Sequence, residues 1–263
     1  MKAPPRKKAA GRRGRVVYKL RMSSAPASTA FGFSEQLETG RDAENYNRWI
    51  AEQFAPFAGR RVMEVGCGIG NLSHHWTDRE SFVGIDTEPE CVSKCVERFA
   101  HQPNARFFRD FVGAPDWVSR WSEHRPDTIV AVNVLEHIRE DLAALRGWRD
   151  ILRAGGGGHV CVFVPAFEFA YSPFDKRYGH YRRYTKDTLR DKLLDAGLEL
   201  EVLRYFNMPG LLAWWLTFVL LRRGDAVPGQ IDLYDKVIVP LVRRFERVVT
   251  PPFGNSVVAV CRA

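Results

Sequence analysis

Hydrophobic runs alternate with amphipathic segments along most of the chain. Runs rich in valine, isoleucine and phenylalanine predict strands at Arg61–Val65, Ser81–Asp86, Ala105–Arg109, Thr128–Asn133, His159–Val164, Leu198–Tyr205 and Ser256–Cys261. Apolar residues at helical spacing predict helices at Arg41–Phe54, Ile69–Trp76, Glu88–Phe99, Pro115–Trp121, Arg139–Leu152 and Thr185–Ala196. Strands that are apolar on both faces, alternating with helices, predict an α/β fold: a doubly wound, mostly parallel seven-stranded sheet with helices on both faces.

A long connection separates the last two predicted strands. It contains about 50 residues, and connections of that length carry structure or function of their own. Leu211–Leu221 is apolar on nearly every side, whereas Leu233–Val248 alternates apolar and basic residues at helical spacing. We therefore predict a helical lid over residues 208–250, inserted before the last strand.

The net charge of +8 comes from the amino-terminal end of the chain. Residues 1–22 contain nine lysines or arginines and no acid, which leaves 30 basic against 31 acidic side chains elsewhere. We expect a disordered basic tail over residues 1–34 and one domain over residues 35–263. Because that domain is nearly neutral, the charge disfavours a nucleic-acid partner.

Composition also bears on the compartment. Five cysteines do not suggest a disulfide framework, so we expect a reducing cytoplasm. We find no secretory signal, and the longest apolar segment, Met208–Leu221, is shorter than the roughly 18–20 residues that span a bilayer. The chain is expected to be cytoplasmic, with peripheral membrane contact as an alternative.

Glycines and acids follow the first four predicted strands. Glu64 precedes a glycine-rich loop, Gly66–Gly70, and Asp86, Asp110 and Asn133 end or follow the next three strands. Ligands of open α/β sheets bind beyond the carboxyl ends of the strands, where these residues should meet. The third glycine comes one residue earlier than in the Gly-x-Gly-x-x-Gly pattern of dinucleotide-binding proteins, which disfavours an NAD-dependent oxidoreductase.

These landmarks resemble the class I S-adenosylmethionine (SAM)-dependent methyltransferase superfamily over roughly residues 42–165 and the closing strands. The resemblance implies a Rossmann-like methyltransferase fold and SAM as the cofactor. It implies that the glycine loop holds the methionine end of SAM, that Asp86 binds the ribose, that Asp110 contacts the adenine, and that the Asn133 carbonyl meets the ammonium group. The implied cofactor-binding residues are Glu64, Gly66, Cys67, Gly68, Gly70, Asp86, Thr87, Asp110, Phe111 and Asn133.

A finer resemblance is to bacterial small-molecule methyltransferases of types 11 and 12. It rests on Val164–Ala166, Gly179–Thr185, Arg204–Asn207 and Pro251–Gly254. This resemblance implies methyl transfer to an O or N acceptor on a small molecule or on a lipid- or sugar-linked metabolite, without identifying the substrate. A nucleic-acid methyltransferase and a non-catalytic SAM-binding protein are the alternatives.

Candidates for the chemistry follow the fourth and fifth strands. We predict His137, His180 and Tyr181 as catalytic or substrate-contacting residues, although loop packing would also explain them. A dense group of aromatic and basic residues suggests a binding wall, for which Tyr171, Tyr184 and Arg182 are candidates. Tyr46, with Trp49, could close the pocket or pack in the core. No metal-binding pattern is evident in the sequence.

The lid has two interpretations. Trp214, Trp215 and Phe218, followed by Arg222 and Arg223, could cap an apolar substrate, or residues 208–223 could rest on a membrane surface. A lipid-linked substrate would reconcile both interpretations.

Overall fold

The computed structural model describes residues 43–222 and 228–263. The predicted basic tail over residues 1–34 lies outside the described residues. The strands are β1 (Arg61–Val65), β2 (Ser81–Asp86), β3 (Ala105–Arg109), β4 (Thr128–Val132), β5 (His159–Pro165), β6 (Glu199–Phe206) and β7 (Ser256–Arg262). The helices are α1 (Glu44–Phe54), α2 (Pro89–Arg98), α3 (Trp117–Ser122), α4 (Asp141–Ala154), α5 (Pro173–Arg177), α6 (Lys186–Asp195), α7 (Met208–Trp214), α8 (Pro228–Leu233) and α9 (Val239–Glu246).

The strands form one seven-stranded sheet in the order β3-β2-β1-β4-β5-β7-β6. Strands β1 to β5 pair in parallel, whereas β7 runs antiparallel between β5 and β6. This arrangement confirms the predicted doubly wound, mostly parallel sheet. The strand order reverses between β1 and β4, and at such a switch point the loops leaving the two strands diverge to open a ligand crevice.

One predicted helix is wrong. Residues Ile69–Trp76 do not form an α-helix, because only a short 3-10 turn, Ser73–His75, is present there. The chain turns sharply at Gly70, whose φ is +82°, and the amides of His75 and Trp76 then bond to carbonyls three residues back. Free amides at the start of a long helix therefore do not contribute to the ligand crevice.

Two apolar layers cover the sheet. On one face Leu145 and Trp148 of α4 pack with residues of α6 and the strands. On the other face Trp49 and Phe54 of α1 pack with strand residues and with Val239 of α9. Helix α9 belongs to the predicted lid, so this part of the lid also completes the core.

The lid consists of two helical segments. The first lid helix, residues 208–220, comprises α7 and a π-helical continuation, Trp215–Leu220. The second lid helix, residues 228–246, comprises α8, the π-helical Tyr234–Ile238 and α9. These segments confirm helices within the predicted 208–250 insertion. No helix in residues 43–222 or 228–263 is long and apolar enough to cross a membrane.

Helix α1 is held at its start by the second lid helix. The carboxylate of Asp235 accepts hydrogen bonds from the backbone amides of Asn45 (3.1 Å) and Tyr46 (2.8 Å). The residue that precedes the helix, Ala43, has no side chain that could satisfy these amides. Asp235, which is distant in sequence, thus caps the amino terminus of α1.

Candidate active site

The glycine loop follows β1 and has a backbone conformation with positive φ, which is strained for residues other than glycine. Gly66 has a φ of +71°, and a Cβ atom there would lie 2.3 Å from Cγ2 of Val134, which follows β4. The amides of Gly66 and Cys67 both donate to the carbonyl of Ile85, at 2.7 and 3.0 Å. The loop is therefore drawn against the end of β2 while staying close to the residues after β4.

Glu64 lies beneath the loop at the end of β1. Its side chain is buried and accepts a 2.6 Å hydrogen bond from the hydroxyl of Ser73. Burial raises the pKa of Glu64 to about 8. A cationic group beside this carboxylate would favour its ionised form, as the ammonium group of SAM would do if it binds where the resemblance implies.

Asp86 ends β2 and supports the loop. One carboxylate oxygen accepts from the Gly68 amide at 2.7 Å and the other from the Glu88 amide at 2.9 Å. Burial raises the pKa of Asp86, while these two amides lower it. Each carboxylate oxygen can accept more than one hydrogen bond, so both can still receive a ribose hydroxyl.

Asp110 follows β3 and is already paired. It accepts hydrogen bonds from Arg120 (2.6 Å) and from the indole of Trp121 (3.1 Å), and its other oxygen accepts from the Phe111 amide. This group orients the carboxylate at the predicted adenine position. No sequence pattern identifies Arg120 and Trp121 as partners of Asp110, because both come from the following helix, α3.

Other predicted cofactor residues take different positions. The side chain of Cys67 is buried with Cys95 and Phe99, so only its backbone lines the loop. Thr87 is exposed, and its carbonyl accepts from Arg109 at 3.0 Å. Asn133 has a φ of +52°, and its amide donates to the Phe163 carbonyl at 2.8 Å. The backbone of Asn133 is therefore in the left-handed region directly after β4.

Three side chains with metal-binding or proton-accepting atoms meet after β4 and β5. Glu136, His137 and His180 each offer one such atom, and these atoms lie within 4.8 Å of one another. The histidine rings meet edge to face, with centroids 4.5 Å apart. The structure thus brings together two residues that we had predicted separately and adds Glu136, which the sequence analysis missed.

Burial disfavours the charged forms of Glu136 and His137. Glu136 is fully buried, neither carboxylate oxygen has a hydrogen-bond partner, and burial raises its pKa to about 7. Burial and the neighbouring His180 lower the pKa of His137 to about 3. In the sequence, Glu136 stands next to His137 in a loop that follows a strand. This position alone is a weak indication of a functional role.

Asp175 holds the second histidine in place. Its carboxylate bonds to Nδ1 of His180 at 2.8 Å and pairs with the buried guanidinium of Arg183 at 2.9 Å. Ser172 donates its hydroxyl to the same carboxylate at 2.8 Å. Arg183 is thus buried in an ion pair.

Most residues of the predicted binding wall bond to other parts of the protein. Tyr184 is 1% exposed, and its hydroxyl donates to Asp141 at 2.9 Å, so we withdraw it as a substrate contact. Arg182 forms a 2.5 Å ion pair with the same carboxylate. Tyr171 donates its hydroxyl to the His180 carbonyl at 2.8 Å, and the ring of Tyr181 is half exposed.

The aromatic residues of α1 pack towards the lid. Trp49 is 2% exposed and lies 3.9 Å from Phe206, centroid to centroid. Tyr46 packs on both rings, and its hydroxyl bonds to the side chains of Asn207 and Ser256. The structure places both residues in packing and hydrogen-bonding roles, so we withdraw them as pocket-closing residues.

The inner side of the first lid helix covers the segment that carries His180. The indole of Trp214 donates to the Ala170 carbonyl at 3.1 Å, and Arg183 lies 4.6 Å from its ring centroid. Phe174 packs against both Trp214 and Phe218. The lid therefore lies over the connection that presents the histidine cluster.

The outer sides of the lid helices are apolar. On the first lid helix Leu212, Leu216 and Leu220 recur at intervals of four and are exposed. The second lid helix exposes a similar row, which comprises Leu233, Val237, Leu241 and Phe245. We call these two rows the exposed lid rows.

Comparisons with known proteins agree with this architecture. Residues 63–157 match the family model described as a methyltransferase domain. A ubiquinone biosynthesis O-methyltransferase from Xanthomonas euvesicatoria pv. vesicatoria is 29% identical over 157 residues, which cover 55% of this chain and 64% of the relative. A tRNA U34 carboxymethyltransferase from Shewanella piezotolerans is 32% identical over 118 residues, which cover 41% of this chain and 32% of the relative.

A solved structure supports the fold. A SAM-dependent methyltransferase from Archaeoglobus fulgidus superposes with a TM-score of 0.54 and 13% identity, covering 87% of this chain and 99% of that one. The chain spans less than two thirds of the length of the curated relatives that it matches. The methyltransferase-domain match over residues 63–157, the curated methyltransferase relatives and the fold support the predicted resemblance to class I SAM-dependent methyltransferases, with SAM as the cofactor of the methyltransferase domain.

Proposed function

We propose that this protein transfers the methyl group of SAM to an O or N acceptor on a small or lipid-linked molecule. The observation that carries the proposal is the shared edge of the sheet. The loop at Gly66–Gly70 and Asp86 are joined there by the 2.7 Å bond from Gly68, and Gly66 lies against Val134, which is followed by the histidine cluster. Donor and acceptor sites would therefore be neighbours.

The chain's own residues would divide the work as follows. Glu64 would hold the ammonium group of SAM, Asp86 the ribose hydroxyls and Asp110 the adenine. Methyl transfer from a sulfonium is an in-line displacement, in which the acceptor atom attacks the methyl carbon and the sulfur leaves with its bonding electrons. The protein's part is to align these atoms and exclude water, and the lid helices are suited to cover the site.

The histidine cluster is placed to meet the acceptor. His137 and His180 follow β4 and β5, so they lie on the carboxyl side of the sheet next to the predicted donor site. Tyr181 is tied to the same cluster, because its amide donates to the Glu136 carbonyl at 2.8 Å. We propose that these three residues contact the reacting part of the acceptor.

A lipid-linked acceptor is the finer proposal, and the exposed lid rows support it. Their leucine, valine and phenylalanine side chains would enter the interfacial region of a bilayer, while exposed Arg244 and Arg247 would meet anionic headgroups. The inner side of the lid lies over the segment that carries His180, so an acceptor leaving the bilayer would have a short path to the cluster.

Titration calorimetry with SAM tests the cofactor site. We expect Asp86→Ala to weaken SAM binding at least about a hundredfold, because each lost hydrogen bond to a charged group is worth about 1.5–3 kcal/mol. Asp187→Ala removes an acid that is 76% exposed on α6 and serves as the matched control. Unaltered SAM affinity in Asp86→Ala, with the protein folded, would contradict the assignment.

Radiolabelled methyl transfer tests the acceptor class. The protein would be incubated with methyl-labelled SAM in three separate reactions. One contains a lipid extract, one a water-soluble metabolite extract and one total tRNA. We expect label in the lipid or metabolite fraction. Label in tRNA alone would favour the nucleic-acid alternative, which the name of the Shewanella relative raises. SAM binding without label in any fraction would favour a non-catalytic binding protein.

A further inference from the structure

The cluster after β4 and β5 has the composition of a metal site. Glu136 and His137 belong to the 3-10 turn Leu135–His137, which follows β4. His180 belongs to the connection after β5, which is the neighbour of β4 in the sheet. Their three ligand-type atoms lie within 4.8 Å of one another, close enough for one cation to draw them together.

The unpartnered carboxylate of Glu136 indicates a binding site for a cation. The residue is 0% exposed, and neither of its oxygens has a hydrogen-bond partner. A buried polar group without a partner is costly, and native proteins pair nearly all of them. A proton would relieve the charge of this carboxylate but would leave its hydrogen-bonding capacity unused, whereas a cation would satisfy it directly.

Each histidine is oriented by a protein group on one side. Nδ1 of His180 bonds to the carboxylate of Asp175 at 2.8 Å, which leaves Nε2 as an acceptor. His137 bonds to the backbone of Tyr178, and the ring nitrogen that it offers to the cluster lies within 4.8 Å of the ligand atoms of Glu136 and His180. Histidines that bind metals usually donate their second nitrogen to a carboxylate or a carbonyl, as these two do.

The outer partners are themselves fixed. Asp175 is 0% exposed and is held by Arg183 and by the hydroxyl of Ser172. A carboxylate behind His180 makes the facing nitrogen a better electron-pair donor.

We propose that Glu136, His137 and His180 bind one divalent cation of the zinc class. Two imidazoles and one carboxylate suit Zn²⁺, Co²⁺ or Fe²⁺, whereas Mg²⁺ and Ca²⁺ prefer oxygen ligands throughout. Three protein ligands leave a coordination position open, which an oxygen of the methyl acceptor could fill. That last role rests on the proposed function, whereas the binding of the cation does not.

Metal binding to the full chain tests the proposal. The protein is treated with a chelator, exchanged into metal-free buffer and titrated with Zn²⁺ by calorimetry and with Co²⁺ by visible absorption. We expect one equivalent of either ion to bind and the absorption of Co²⁺ bound by nitrogen and oxygen ligands. Glu136→Gln and His180→Ala should each weaken binding more than about a hundredfold, because losing even an outer partner of a metal ligand costs about 10–100-fold.

The controls separate this site from a folding defect and from the donor site. His101→Ala removes an exposed histidine outside the cluster and should bind Zn²⁺ like the wild type. SAM affinity, measured on every variant, should stay near that of the wild type. The proposal is overturned if the wild type binds neither Zn²⁺ nor Co²⁺, if it binds Mg²⁺ instead, or if Glu136→Gln binds Zn²⁺ unchanged.

Discussion

At the scale of single residues, burial decides which acids can change their charge. Glu64 and Asp86 both lie under the glycine loop, and burial raises the pKa of each. Asp86 is supported by two backbone amides, whereas Glu64 has the hydroxyl of Ser73. Of these two acids, Glu64 therefore depends more on a bound cationic group for its ionisation.

Glu64→Gln should change the pH dependence of both stability and SAM binding. The folded-state pKa of Glu64, about 8, lies above its ordinary value of 4.5, so its contribution to stability is full below pH 4.5 and is lost as the pH rises through 8. In that window it lowers the free energy of unfolding by about 1.4 kcal/mol per pH unit, and the variant should lose this slope. Urea unfolding of the ligand-free protein at several pH values measures the difference.

The same variant should bind SAM more weakly. Because the ammonium group of SAM would pair with ionised Glu64, wild-type affinity should rise with pH up to about 8, and the variant should show a flatter dependence. Identical pH profiles of stability and affinity in the two proteins would show that Glu64 does not titrate in this range.

Residue-scale burial also explains why Tyr184 does not line the predicted binding wall. Tyr184 lies in a Gly-His-Tyr-Arg-Arg-Tyr-Thr segment whose composition is typical of an exposed loop. The structure turns its side chain inward, onto Asp141. This acid is 43 residues away in the sequence, and no local pattern indicates such a partner.

At the scale of elements, the lid and helix α1 are joined by one carboxylate. Asp235 is 2% exposed and satisfies two amides at the start of α1, as a residue next to the helix would ordinarily do. The connection is reinforced by Asn207, whose side chain accepts hydrogen bonds from Gly210 and from the hydroxyl of Tyr234. The lid is thus part of the folded domain.

Asp235→Ala should destabilise the protein by about 1–2 kcal/mol, because the buried amides of Asn45 and Tyr46 lose their acceptor. Chemical denaturation measures the change. Asp232→Ala is the matched control, since this acid is half exposed on the same lid helix and pairs with Lys236, and it should cost less than about 1 kcal/mol. Equal losses in the two variants would contradict the capping role of Asp235.

At the scale of the whole molecule, the exposed lid rows present seven large apolar side chains to solvent. Exposed apolar patches of this kind mark interaction surfaces in soluble proteins. Exposed Leu241 and Phe245 stand beside the exposed arginines Arg244 and Arg247, a combination that suits an anionic membrane surface.

Vesicle sedimentation tests this surface. We expect the wild type to bind vesicles that contain phosphatidylglycerol more strongly than vesicles of phosphatidylcholine alone. Combining Leu216→Glu with Leu241→Glu should lower the bound fraction at least about tenfold, because two apolar side chains worth about 1.5–3 kcal/mol each would be replaced by charges. Leu194→Glu, at a half-exposed leucine on α6, is the matched control.

Two results would count against membrane contact through the exposed lid rows. Binding that the paired substitutions leave unchanged would place the contact elsewhere on the chain. A wild type that ignores both kinds of vesicle and forms a dimer, which Leu216→Glu with Leu241→Glu dissociates, would assign the exposed lid rows to a second copy of the chain.

The sequence by itself determined the sheet, and it predicted the donor edge and the resemblance to methyltransferases. Apolar strand runs alternate with amphipathic helical segments, and the acids at the ends of β1 to β3 follow one another along the chain, so local order predicts their meeting. Only the tertiary structure decided the acceptor side. Glu136 meets His180 because β4 and β5 are neighbours in the sheet, and Asp175 holds His180 from within the connection after β5. Contacts of that kind depend on which distant side chains are packed together, and a linear pattern does not record them.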